Sequence, residues 1–343
     1  MIKFIFTCFL IATFHVGNSQ SIQGTVFNEN HVPLAGVSVY FDGTTLGTTT
    51  NTEGFFKLKA LAIPNAILVI SYIGYESIYL TNIQSSLDIQ LKPSSISLTE
   101  VLLEPIPFTR KEMLQVFKKQ FLGETKGGRA CIILNEAAIQ FSYDSKNFVL
   151  AAFSDEIIKI ENPYLGYEVD FNLMEFSVSY SKRTLSEQFQ KANFFSGTSF
   201  FQEISDSKSK IEKNREKAYL GSSKHFFKNL ITKKWGENEF MLFEGSFATD
   251  PSLHFEVFPE GDLTLIKVIA PSIKVTTSVK LKFQKGFQLR YNNKEQSAVI
   301  FRTPSFYVDA YGNFTNIDEI DFSGEIAKRR IGDMLPANFE IIK

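Results

Sequence analysis

Gly24-Thr-Val26, Val32-Pro33-Leu34-Ala-Gly36-Val37-Ser-Val39 and Gly47-Thr-Thr-Thr50-Asn51-Thr-Glu53-Gly54-Phe-Phe56-Lys-Leu58 decide the fold of the first part of the chain. Apolar and polar residues alternate in short runs between glycines and prolines, the pattern of half-buried β-strands. Working outward, Ile22 to Phe27 reads as a strand, Asn28-Glu-Asn30 as a turn and Val37 to Asp42 as the next strand. Gly54 falls where a hairpin turn is needed, and Phe56 and Leu58 alternate into a core beyond it. Ile67 to Tyr72 is almost continuously apolar, as expected of a central strand buried on both faces. Gly74 interrupts it, Tyr75 to Leu80 resumes it, and Leu87 to Leu91 closes the unit. Some seven short strands in about 70 residues predict a small β-sandwich.

The same residues carry a resemblance. Gly24, Pro33-Leu34, Gly36-Val37, Val39, Thr50, Gly54, Phe56, Ser71-Tyr-Ile-Gly74-Tyr75, and Ile89-Gln-Leu91 with Leu98-Thr-Glu100-Val101 behind it resemble the carboxypeptidase-regulatory-like domain. That family is a transthyretin-like β-sandwich found in envelope proteins of the Bacteroidetes. It often has Asp where this chain has Asn51, a departure that would weaken a cation site in that turn. The resemblance implies an accessory module of metallocarboxypeptidases rather than their catalytic domain. In the Bacteroidetes such a module often precedes an outer-membrane receptor barrel of the TonB system. A 343-residue chain is short for that barrel, so a free-standing periplasmic or outer-membrane-associated protein is expected.

Length and composition fit two globular domains: 44% of residues are apolar and 21% charged. The 35 phenylalanines favour pleated, half-buried surfaces. Lys3, the apolar run Phe4 to Val16 and the small residues Gly17-Asn18-Ser19 read as a signal peptide over 1–19, cleaved before Gln20. Cys8 lacks the leucine and small residues that precede a lipidated cysteine. No later apolar run reaches spanning length, so no transmembrane segment is expected in the mature chain. Cys131 is then the lone thiol, excluding an intramolecular disulfide, and reads as a small buried hydrophobe. The formal charge of −1 becomes −2 once Lys3 is removed, which gives no pull towards nucleic acid.

The organisation expected is a sandwich over 20–92, a linker over 93–109 containing Pro93, Pro105 and Pro107, and a β-rich α+β domain over 110–343 with a helical insertion. The fold class is mostly β. Thr109-Arg-Lys-Glu112 has capping-box spacing, with Met113, Val116, Phe117 and Phe121 on one helical face and Gly123 as the stop. Ala138 to Tyr143 and Phe148 to Phe153 make a hairpin around Asp144-Ser-Lys-Asn147, and Tyr167 to Tyr180 continues the meander. Residues 184–205 are aromatic-rich and ambiguous. Residues 206–232 read as helix broken at Gly221-Ser-Ser223, with nine Lys or Arg through Lys234 against three acids. The segment from Asn214 to Leu230, with Tyr311-Gly312-Asn313, Ser323-Gly324-Glu325 and Arg330-Ile-Gly-Asp333-Met-Leu335-Pro336, resembles uncharacterised Bacteroidetes proteins of the same two-part layout.

No catalytic signature stands out. His-x-x-Glu, Gly-x-Ser-x-Gly, a phosphate loop and a dinucleotide fingerprint are all missing, and the mature chain holds only His31, His225 and His254. No catalytic residue, metal ligand or cofactor is expected, although a hydrolase built on carboxylates alone leaves no mark in sequence. The candidate ligand site is Arg215, Lys217, Ser222, Ser223, Lys224, His225 and Lys228: if the second helix starts at the serines, its free N–H groups and nearby cations could hold a phosphate or carboxylate. The plainer reading is a solvated helix face with a serine cap. Phe194, Phe195, Phe200 and Phe201 around Gly197 suggest either a sugar or peptide groove or packing on a sheet, and Arg329-Arg330 with Glu325 and Asp333 suggest surface ion pairs at helical spacing. The function expected is a non-catalytic secreted envelope protein that binds a protein or glycan. A carboxylate hydrolase and a periplasmic partner of a TonB-type receptor are the alternatives.

Overall fold

A computed structural model describes residues 21–59, 66–94, 106–204, 208–269 and 283–341. The expected signal segment and most of the expected linker lie outside these residues. The chain is mostly β, and its N-terminal unit is a seven-stranded sandwich: β1 (Ser21–Phe27), β2 (Ser38–Phe41), β3 (Gly47–Thr49), β4 (Phe55–Lys59), β5 (Leu68–Ser71), β6 (Ile78–Leu80) and β7 (Ser86–Gln90). One sheet has the order β4-β1-β7 and the other β3-β2-β5-β6. Between them lie Ile22, Val26, Val39, Phe41, Phe56, Leu58, Leu68, Ile70 and Ile89, the alternating apolar residues of the sequence. Gly24 is required where β7 runs beside β1, because a Cβ there would stand 2.2 Å from the Leu87 carbonyl oxygen. Asn51 shapes the turn before β4: its Oδ1 accepts from Glu53 N at 3.0 Å and Phe55 N at 2.9 Å.

Two further apolar clusters follow. The first gathers α1 (Arg110–Leu122), α2 (Lys126–Ala130), β8 (Ile132–Ile133), β9 (Gln140–Asp144), β10 (Val149–Phe153), β11 (Ile158–Asn162), β12 (Tyr167–Tyr180) and β13 (Gln190–Glu203). Thr109 and Glu112 cap α1 reciprocally, and Phe117 and Phe121 stack on each other 4.8 Å apart and press on Phe176 and Phe171 of β12. β12 pairs with β10 and β11 along one side and with β13 along the other. The ambiguous segment is therefore a long strand. Its Phe201 is buried, its Phe195 meets Phe121 and Phe171, and its Phe194 is exposed.

The second cluster surrounds α4 (Ser223–Thr232), which follows α3 (Lys208–Tyr219) across Gly221 at φ +76. Its strands are β14 (Phe240–Glu244), β15 (Phe247–Thr249), β16 (Phe255–Glu260), β17 (Leu263–Val268), β18 (Lys285–Tyr291), β19 (Glu295–Phe301), β20 (Ser305–Asp309) and β21 (Ile320–Gly324). They form a sheet of order β15-β14-β18-β19-β21 and another of order β16-β17-β20. Phe226 and Phe227 of α4 are fully buried among Phe240, Phe306, Phe314 and Phe322.

The sandwich is joined to the second unit by backbone pairing. Its β2–β3 loop lies along β13: Gly43 N donates to Ser199 O at 2.7 Å, Phe201 N donates to Thr44 O at 2.9 Å, and the Asp42 carboxylate accepts from Ser199 N at 2.7 Å. Phe200 packs on Tyr40, and a Cβ on Gly47 would meet the Phe200 ring at 2.5 Å. The C-terminal segment crosses the same joint, with Ala337 N donating to Gly43 O and Asn338 Nδ2 to Thr45 Oγ1 at 3.0 Å. Arg329 and Arg330 are not surface pairs on a helix. They sit between two 3₁₀ turns, where Arg329 donates to the Ala218 and Leu220 carbonyls at the end of α3 and Arg330 reaches Asn193 and the face of Phe195.

Candidate functional site

The helical break positions the candidate residues. Ser222 is the N-cap of α4, its hydroxyl accepting from His225 N at 3.1 Å, and Ser223 is the first helical residue. Arg215 points from α3 into the preceding unit: Nε donates to Leu165 O at 2.8 Å, an ion pair reaches Glu203 at 3.0 Å, and the guanidinium lies 3.9 Å from the centre of the Tyr167 ring. Lys224 donates to the carbonyls of Pro336 at 2.9 Å and Ala337 at 3.0 Å, and burial lowers its pKa to about 8. Lys228 donates to Ala310 O. Lys217 is exposed and lines a separate cleft of about 250 Å³ beside Arg329 and Asp333. The seven residues thus do not converge on one point. Arg215, Lys224 and Lys228 hold neighbouring segments in place.

Three of them, Arg215, His225 and Lys228, line a groove of about 800 Å³ between α3, α4, the Ala310-Tyr311 loop and the Phe339–Ile341 tail. Its chemistry centres on Glu239, just before β14. Glu239 Oε2 accepts from Asn229 Nδ2 at 2.8 Å and lies 3.2 Å from His225 Nε2. His225 Nδ1 accepts from Gly221 N at 3.1 Å, so the neutral ring carries its proton on Nε2 and donates it to Glu239. Burial, only partly opposed by the Glu239 charge, lowers the His225 pKa to about 4; Arg329 and Lys234 push it the same way as burial. His225 and Asn229 are both buried, one helical turn apart on the same face of α4. They fix one oxygen of Glu239, while among the described residues no hydrogen bond or ion pair involves the other, Oε1.

Tyr219 stands beside His225 at 5.2 Å and Phe339 at 6.1 Å. Burial raises the Tyr219 pKa to about 12, with the charges of Glu239 and Glu340 adding to it. Tyr311, Lys213, Lys234, Glu212 and Glu216 complete the polar walls. Sequence reasoning reached His225 but missed Glu239, Asn229 and Tyr219. The spacing of four between His225 and Asn229 was a usable signal, whereas Glu239 enters only through the turn at Gly236. Among the described residues no group of three or more His, Cys, Asp or Glu is arranged to hold a metal ion. Cys131 has its thiol pKa raised to about 12, mainly by burial and secondarily by Asp333. No described helix is long and apolar enough to cross a membrane.

With this geometry in place, comparison with known proteins bears on the first unit. The CarboxypepD_reg-like domain family matches residues 22–103. Those residues form a CarboxypepD_reg-like domain. The chain is also similar to two TonB-dependent receptors of Formosa agariphila, one 34% identical over 98 residues and the other 34% identical over 87. The matches cover 27% and 25% of this chain but only 9% and 8% of the receptors, so the chain spans a small fraction of their length. Among solved structures, a chain of a type II cohesin–X-dockerin complex from Acetivibrio cellulolyticus is 17% identical, with 31% of this chain and 78% of that one covered at a TM-score of 0.21. A 9R-lipoxygenase from Cyanothece is 10% identical, with 64% and 49% covered at 0.17. Neither overlap bears on the fold.

Proposed function

We propose that the chain is a non-catalytic binding protein of the cell envelope, which engages a glycan or protein partner through the groove at Glu239. The observation that carries this reading is a carboxylate that lines an open groove of about 800 Å³ and has one oxygen fixed by two buried donors. Two buried side chains hold this carboxylate in place at the groove wall, the kind of positioning a binding site needs. The envelope setting is supported by the CarboxypepD_reg-like domain and its likeness to TonB-dependent receptors. That likeness also supports a TonB-type receptor as the partner.

The test is capture from a solubilised envelope fraction with residues 20–343 as bait, beside a bait carrying Glu239→Gln and Lys234→Ala. The reading predicts material retained by the native bait and lost from the altered one. Equal retention by both would remove the groove from the account. Cleavage of the retained material by the native bait would replace binding with hydrolysis.

A further inference from the structure

We infer that the groove is a saccharide site, an inference that rests on the binding role proposed above and names its ligand class. Its walls bear four cations, Lys213, Arg215, Lys228 and Lys234, against four acids, Glu212, Glu216, Glu239 and Glu340. Arg215 is already paired with Glu203 and Lys228 is bonded to a carbonyl. The groove therefore offers no net positive field for a phosphate or a nucleic acid.

An extended peptide is a poor match for a different reason. Peptides laid out as strands are recognised through a row of free backbone groups at a sheet edge. Two of this groove's walls are α3 and α4, whose backbone groups are bonded within the helices, and none of the residues that line it belongs to a β-strand, so it offers no sheet edge. What remains is a set of separated acceptors and donors beside aromatic rings. Glu239 Oε1 is an ionisable acceptor without a described partner, Lys234 is a donor with no described ion pair, and Tyr219, Tyr311 and Phe339 supply the rings.

A pyranose ring has the complementary chemistry. Its hydroxyls donate to a carboxylate and accept from an ammonium, and its C–H face lies against an aromatic ring. Glu239 Oε1 takes the hydroxyl donors, with His225 and Asn229 as positioning residues behind it. The volume of about 800 Å³ lies in the range of sites that enclose a ligand larger than one sugar ring.

Isothermal titration of residues 20–343 with free tetrasaccharides of glucose, mannose and N-acetylglucosamine tests this. Saturable binding of at least one tetrasaccharide is expected, weakened about 10-fold to 100-fold by Glu239→Gln, the loss of a charge-assisted hydrogen bond. Tyr311→Ala, a change at the half-buried rim, should weaken it as well while leaving the unfolding midpoint in place. If no tetrasaccharide binds while the groove variants still abolish envelope capture, the ligand class is wrong and the groove reading survives. If a tetrasaccharide binds equally well to native protein, Glu239→Gln and Tyr311→Ala, the saccharide site lies elsewhere and the inference falls.

Discussion

At the scale of single residues, His225 couples folding to acidity. The unfolded chain takes up a proton at this histidine near its ordinary pKa of about 6.5, whereas in the fold burial holds the pKa at about 4. A depressed folded pKa means that stability is complete above 6.5 and is lost as pH falls from 6.5 towards 4, by up to roughly 3 kcal/mol. The charged groups facing the ring are Glu239, Arg329 and Lys234, with Tyr219 and Phe240 tilted against it and Tyr291 meeting it edge-on. Urea midpoints at pH 7 and pH 4.5 should therefore converge in His225→Gln relative to the native chain, because the variant has no proton to take up there. An unchanged difference would mean that the ring titrates normally. Glycines give a second residue-scale contrast. A Cβ on Gly332 would stand 2.2 Å from Gly128 Cα, while one on Gly286 would have its nearest neighbour at 3.6 Å. Gly332→Ala should cost about 1–3 kcal/mol or more by overpacking. Gly286→Ala should stay near neutral in the same denaturation experiment.

At the scale of elements, caps and turns explain what the sequence disclosed. Thr109 and Glu112 form the capping box that their spacing implies, and the break at Gly221 is a positive-φ turn followed by a serine cap. Ser222→Ala should lower stability by about 1 kcal/mol, as an N-cap loss does, measured by thermal or urea unfolding. Sandwich strands such as β1 and β4 were legible because one face is buried, so apolar residues alternate, and β5 because both faces are, which gives its continuous apolar run. β13 was not, since its two faces meet different partners. Phe195 and Phe201 turn to the sheet core, Phe200 meets the sandwich and Phe194 faces solvent, which erases the period. The basic block was visible as charge, but not its use. Lys224 and Lys228 are tied to carbonyls from residues 310, 336 and 337, contacts between segments far apart in the chain. Tyr311-Gly312-Asn313 becomes intelligible for the same reason: a Cβ on Gly312 would meet Lys224 O at 2.2 Å, and Asn313 Nδ2 donates to Ala337 O at 2.9 Å.

At the scale of the whole molecule, the C-terminal segment acts as a strap. Asp333 accepts from Thr125 Oγ1 at 2.7 Å, Gly332 O accepts from Asn162 Nδ2 at 3.0 Å, Pro336 and Ala337 receive Lys224, and Ala337 and Asn338 bond to the sandwich loop at Gly43 and Thr45. Together with Phe200 against Tyr40, these contacts predict that the sandwich and the groove-bearing units unfold together. Phe200→Ala combined with Asn338→Ala should split one calorimetric transition into two. Retention of a single transition would show that the joint rests on other contacts. Nothing in the sequence revealed this joint, because a loop pairing with a strand more than 150 residues away leaves no local pattern.

The measurement that tests the account most directly is hydrogen–deuterium exchange of residues 20–343 with and without a solubilised envelope fraction. Binding through the groove predicts slowed exchange across α3, the end of α4, the Ala310-Tyr311 loop and the Phe339–Ile341 tail. Protection confined to the sandwich strands β4 and β7, with the groove elements unchanged, would contradict it.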